Sequence, residues 1–419
     1  RTRETGEPAP LRDNRLTGLD LLRALACLLV FAHHATLRLN FDALSGGWHN
    51  FYLFFNMGAF GVAVFFLLSG FLLARPFWLA YDEGGRMPSL GVYALRRAAR
   101  ILPGYYVALT VTLIVAATVF GSPFTGDTVQ RYVAGLLFVN EFHWLTLFPA
   151  EVNGPLWSIG MEVASYVLLP LGVILLFALR PVLPGWRGRI VFVGVVGAAL
   201  LAQYLVVTFV PKETVDADFG HGLIGGAKFW MPQYNVAGFF LVFAMGALTA
   251  GLSTLWRGRH VLADLLVIAG FAGAALAIWS VAPSRAPESF GWLGLPYHFP
   301  YFHLAVALAL FAFPHAKYLP AVSEVAPIRY IAMVSFGIYI WHFLVLELMR
   351  KWVVPRYDWA GISDTNQWLL ISGIGLGLAV LAGSLSWFLI EQPVLNWAKR
   401  REAPRSILPD AAPAANLHA

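Results

Sequence analysis

Apolar runs of about twenty residues recur along the chain, each closed by a short polar or charged stretch. A helix rising 1.5 Å per residue crosses about 30 Å of hydrocarbon in that length. The runs lie at 19–38, 52–74, 101–120, 155–179, 190–210, 235–255, 263–282, 299–314, 329–349 and 367–390, and they predict ten crossing helices. An eleventh stretch, 131–150, is broken by Asn140, Glu141 and His143 and closes on Pro149. That polarity predicts a re-entrant or surface segment. The expected fold is all-α, a polytopic membrane helix bundle of about ten transmembrane helices with both termini cytoplasmic.

Composition agrees with the pattern. Of 419 residues 58% are hydrophobic and 12% charged, about half the usual charge content, which excludes a water-soluble globular enzyme. Charge placement sets the orientation, because Lys and Arg accumulate in cytoplasmic loops. With ten spans and an inner N-terminus, 20 of the 29 basic residues fall inside. Counting 131–150 as a crossing would turn the Arg180, Arg187 and Arg189 cluster outward, against that rule. The formal charge of +6 therefore reports cytoplasmic loops rather than a nucleic-acid partner. Residues 1–14 and 394–419 read as tails around a membrane domain at 15–393. The first span is too long and too polar within to be a cleaved signal. A single cysteine, Cys27, excludes an internal disulfide and a cysteine-rich metal site.

Ionisable residues inside spans cost about 2.5–3.5 kcal/mol each on insertion scales, so each asks for a partner or a purpose. The first span, GLDLLRALACLLVFAHHATL, holds Asp20, Arg23, His33 and His34. At 100° per residue Arg23 and His34 are only about 20° apart around the helix and roughly 16.5 Å apart along it. Asp20 falls within about 60° of Arg23, and His33 is rotated about 100° off that stripe. Arg23 and Asp20 read either as a structural pair or as part of a site, and His34 as an interhelical hydrogen bond or a base. Cys27 shares the stripe but stands roughly 10.5 Å from His34, too far for a dyad. Arg97 and Arg100 are spaced to put two guanidinium groups on one face at a helix start. They suit either phosphate gripping or ordinary cytoplasmic anchoring. Trp157 and Glu162 mark the outer mouth of the fourth span, and Ser69 beside Gly70 suits close helix packing. His342 beside Trp341 is a further intramembrane histidine with structural and functional readings both open.

Together GLDLLRALA through His34, FFLLSGFLL, RRAARILP, PLWSIGME, SFGIYIWH and EQP resemble, in order, the acyltransferase-3 family of bacterial membrane O-acyltransferases. The resemblance covers nearly all of residues 15–393. It departs at Leu21, at Val163 and Ala164, and at Phe336, and the fused esterase-like extension of some relatives is not expected here. It implies an enzyme of the bacterial cytoplasmic membrane that takes an acyl group, commonly acetyl, from acyl-CoA to a hydroxyl of a glycan or glycolipid. The family's Arg and His motif falls on Arg23 and His34, and its paired arginines on Arg97 and Arg100.

The mechanism expected is direct transfer. Arg97 and Arg100 hold the donor's phosphates, the pantetheine arm passes Arg23, and His34 takes the proton from the acceptor hydroxyl as it attacks the thioester. Trp157 and Glu162 line the acceptor side, with Asp20, Ser69 and His342 as further substrate contacts. No permanently bound cofactor, metal or nucleic acid is expected, and oligomeric state is left open. The alternative from another class is a transporter or flippase of a lipid-linked sugar, making no bond.

Overall fold

The computed structural model describes residues 18–217 and 222–402; the tail read from the sequence at 1–14, and residues 403–419 of the one read at 394–419, lie outside the described residues. Ten apolar helices follow one another: α1 (Leu19–Thr36), α2 (Gly61–Asp82), α3 (Leu90–Thr118), α4 (Trp157–Ala178), α5 (Arg189–Phe209), α6 (Val236–Ser253), α7 (Val261–Val281), α8 (Tyr301–Ala312), α9 (Ala326–Trp352) and α10 (Thr365–Ser386). Among the described residues nine helices are long and apolar enough to cross a membrane, and a shorter apolar one spans Tyr301–His315. The chain is a multi-pass membrane protein.

Three boundaries differ from the apolar runs, each for a local reason. The second crossing begins at Gly61 rather than 52, because Gly47–Asn56 forms its own helix and a 3₁₀ turn follows at Met57–Phe60. Gly58 and Gly61 let that turn lie on the α1 backbone, where a Cβ on either would collide with Leu29 O or Ala26 O. The third helix starts at Leu90 rather than 101, since the Ser89 side chain accepts the Val92 N–H and caps it. Arg97 and Arg100 therefore stand two to three turns inside a helix, and the helix-start arrangement expected for them is absent. The last crossing runs past Ser386 through a π-turn, Trp387–Glu391, into the helix Gln392–Glu402. Residues 394–402 are thus helical where a tail was expected to begin.

The 131–150 stretch is no crossing helix. It breaks into Gly126–Leu136, a 3₁₀ turn at Asn140–Phe142 and Trp144–Leu147. Arg131 holds it folded, donating to Phe148 O at 2.7 Å and pairing with Glu151 at 2.8 Å. Glu141 is 2% exposed with both carboxylate oxygens unpaired, and burial pushes its carboxyl up to about 7.

Bundle packing is closest where α2 crosses α6. A Cβ on Gly70 would land on Phe243 O, and one on Gly246 on Leu67 O, so two glycines bring the backbones together. Ion pairs tie both ends of the bundle. Arg189 grips Asp82 with two nitrogens, at 2.5 and 2.6 Å, and also donates to Gly251 O. At the other end Arg38, fully buried, reaches Glu347 at 2.7 Å.

Candidate active site

The polar stripe of α1 divides between two cavities. The first has a volume of about 1000 Å³ and holds Asp20 and Arg23 from the start of α1. Arg75 of α2, Arg97 and Arg100 of α3, and Lys399 beyond the π-turn converge on it. The second is a slot of about 50 Å³ at the far end of the same helix, reached by Val30, His33 and His34. Val62 and Tyr339 line both. They form the wall between a basic chamber and a histidine slot.

Within the chamber the cations are not equivalent. Arg23 lies 3.6 Å from Asp20. Arg100 is held at 2.9 Å by Glu391, which is 0% exposed, and lies over the rings of Phe336 and Trp387 at 5.5 and 4.9 Å. The π-turn carries both Trp387 and Glu391, so this irregularity aims their side chains at Arg100, a use typical of π-bulges. Arg97 makes no ion pair with any described residue, and its Nε is buried without a hydrogen bond. Arg75 Nε is in the same condition. Arg97 and Arg75 thus each keep an uncommitted N–H at the chamber.

Glu162 and Trp157 come apart. Glu162 faces the chamber, accepting from Ser69 Oγ at 3.1 Å and from the Tyr166 hydroxyl. Ser69 therefore borders the chamber while Gly70 does the packing. Trp157, one turn earlier on α4, lines the slot instead. Trp230 and Tyr234 complete an aromatic wall there, stacked on each other with centroids 4.9 Å apart, and Tyr234 meets Trp157 edge-on at 5.0 Å. Glu288 also lines the slot. One of its oxygens accepts from Trp230 Nε1 at 2.9 Å, and burial raises its carboxyl above the usual range.

His34 is half-buried in the slot. Its Nδ1 lies 3.0 Å from Val30 O and 3.1 Å from Nε2 of His342, which is 1% exposed and lines neither cavity. His33, expected to point off the stripe, borders the same slot, with its Nδ1 donating to Asn56 O at 2.6 Å. The slot wraps round the end of α1, so a rotation of 100° does not take a side chain out of it. Cys27 is buried with its Sγ 3.6 Å from Ser335 O and reaches neither cavity.

Tyr339 fixes the wall. Its hydroxyl donates to Pro155 O at 3.2 Å and lies 2.7 Å from Ser158 Oγ. Sequence reasoning passed over Tyr339, Glu288, Trp230, Arg75 and the role of Glu391. Tyr339 and Glu391 stand inside two quoted motifs, SFGIYIWH and EQP, but what they meet lies far off in the chain. Glu288 and Trp230 stand in loop and short-helix stretches that hydropathy skips.

The sequence matches the family described as an acyltransferase domain over residues 16–387. The chain belongs to the acyltransferase-3 family. Nodulation protein 10 of Rhizobium leguminosarum bv. viciae is 27% identical over 90% of this chain and 92% of its own length. Acyltransferase MdmB of Streptomyces mycarofaciens is 27% identical over 96% of this chain and 97% of its own. The peptidoglycan O-acetyltransferase OatA of Listeria monocytogenes is 25% identical over 90% of this chain, which spans 55% of that relative. No solved structure matches.

Proposed function

We propose that this acyltransferase moves an acyl group, acetyl in the first instance, from acyl-CoA to a hydroxyl of a glycan or other envelope acceptor, with His34 as general base. The observation that carries the reading is the pair of cavities meeting at Val62 and Tyr339. A basic chamber suits a phosphorylated donor, and an aromatic slot with a carboxylate and a histidine suits a hydroxylated acceptor. The chamber's end of the bundle carries Arg75, Arg96, Arg97, Arg100 and Lys399, which favours its facing the cytoplasm of a bacterial inner membrane.

In this reading Arg97 and Arg75 take the donor's phosphates, and Arg100 is held by Glu391 as part of the chamber wall. The acyl arm runs along α1 past Arg23 to Tyr339. His34 takes the hydroxyl proton while the acceptor oxygen bonds to the thioester carbonyl carbon. The C–S bond then breaks, and the proton returns from His34 to the leaving thiolate. The acceptor hydroxyl enters beside Trp157, and a neighbouring hydroxyl donates to Glu288.

The second reading is a flippase of a lipid-linked sugar, which makes no bond. Purified protein incubated with radiolabelled acetyl-CoA decides between the two. Acceptor-dependent release of free CoA, lost in His34→Ala, is the expected result. Movement of a glycolipid without thioester cleavage would replace this reading.

A further inference from the structure

We infer that His342 is the positioning residue that fixes the tautomer of His34; the inference rests on reading His34 as the base. His342 Nδ1 lies 2.7 Å from Tyr339 O and 3.2 Å from Ile338 O. Carbonyl oxygens only accept, so this nitrogen carries the ring hydrogen. A neutral imidazole has one N–H, and Nε2 of His342 therefore presents a lone pair. That lone pair faces His34 Nδ1 at 3.1 Å, and Val30 O faces the same nitrogen at 3.0 Å.

Both neighbours of His34 Nδ1 are acceptors, so Nδ1 is the protonated nitrogen and Nε2 is bare. A bare Nε2 is what proton abstraction in the slot requires. The opposite assignment would set two lone pairs against carbonyls inside the protein, without water to relieve them. Val30 O alone is a weak orienter, because it already accepts the backbone N–H of residue 34 within α1. His342 supplies the free acceptor. Phe343 meets His34 edge-on with centroids 5.0 Å apart, and Phe31 meets His342 at 6.3 Å, which holds both ring planes.

During transfer His34 is briefly an imidazolium. Its Nδ1–H stays directed at the His342 lone pair through that step, and His342 itself gains no proton. The arrangement parallels the carboxylate that orients a triad histidine, here built from a neutral ring in a water-poor site. His342 is 1% exposed and lines neither cavity, so its effect reaches the substrate only through His34.

Two replacements separate orientation from packing. His342→Gln keeps a carboxamide oxygen able to accept near the former Nε2, and His342→Leu keeps bulk without an acceptor. His342→Leu should lose on the order of 10²-fold in kcat, the lower range for a general-base contribution, with the donor KM unchanged. His342→Gln should stay within about tenfold of the parent, a loss below that range. Solution NMR of ¹⁵N-histidine-labelled protein should report His34 protonated at Nδ1 in the parent and His342→Gln, and a mixture in His342→Leu.

Turnover is normalised to acyl-CoA binding, so a loss of folded protein is not counted as a loss of chemistry. Full kcat in His342→Leu overturns the inference. So does a folded, donor-binding His342→Gln that is inactive while its His34 keeps the parental tautomer. His34→Ala keeps the two ideas apart. If it turns over, the base assignment itself falls; if it is inactive while His342→Leu is fully active, only the orienting role falls.

Discussion

At the residue scale the paired arginines part company. The sequence presents Arg97 and Arg100 as equivalents, but Arg100 neutralises a fully buried Glu391 while Arg97 has no ion-pair partner among the described residues. Arg97→Ala should raise the donor KM about tenfold, roughly the loss of one charge-assisted hydrogen bond to phosphate, with yield and melting temperature unchanged. Added salt should weaken donor binding to the parent more than to this variant, since screening acts on a partly exposed charge pair. Arg100→Ala should instead lower stability by on the order of 3 kcal/mol, because it strands a buried carboxylate. Adding Glu391→Gln should recover much of that loss in detergent melting experiments. Equal behaviour of the two alanine variants would mean that Glu391 does not hold Arg100. Glu141 offers a second test at this scale. Burial raises its carboxyl to about 7 in the folded protein, against an ordinary value near 4.5. The folded state therefore binds more protons than the unfolded between those values, and stability falls as pH climbs through them. Glu141→Gln should raise the melting temperature at pH 8 and leave it nearly unchanged at pH 4. A flat difference across that range would remove Glu141 as the cause.

Elements carry the next constraint. Gly70 and Gly246 set the distance between α2 and α6, because a Cβ on either meets backbone rather than a side chain that could turn away. Gly70→Val should abolish folded yield, and Ser69→Ala, one residue earlier, should fold normally and lose its bond to Glu162. Fluorescence-detected size exclusion reads both, and a monodisperse Gly70→Val would show that the crossing can open. Most elements were legible in the sequence for a simple reason: twenty apolar residues in hydrocarbon have no alternative to a helix that satisfies its own backbone. Their ends were less legible. The Ser89 cap and the 3₁₀ turn at Met57–Phe60 are local hydrogen-bonding and packing choices that hydropathy does not record. The π-turn is invisible in the same way, since its purpose lies with Arg100 on another helix.

On the scale of the whole molecule, the candidate residues named from the sequence, His342 apart, fall into two cavities that the sequence could not separate. Helix rotation placed Arg23 and His34 on one stripe and said nothing of the wall between them, which Tyr339 builds from more than 300 residues away in the chain. The same distance hid the partnership of His34 with His342. Orientation is testable directly: in a Cys27→Ser background, cysteines placed at 180–189 should resist an impermeant thiol reagent in intact cells. Labelling from outside would invert the bundle and put the basic chamber on the wrong face. The meeting of chamber and slot at Val62 and Tyr339 also bears on the order of events. Under the proposed function each substrate has its own room, so neither has to leave before the other enters, and direct transfer needs no acyl group resting on the protein. Initial rates measured while both concentrations vary should give intersecting double-reciprocal lines, the mark of a ternary complex. Parallel lines would mean that the first product departs before the acceptor arrives, and that the acyl group crosses the wall attached to a side chain.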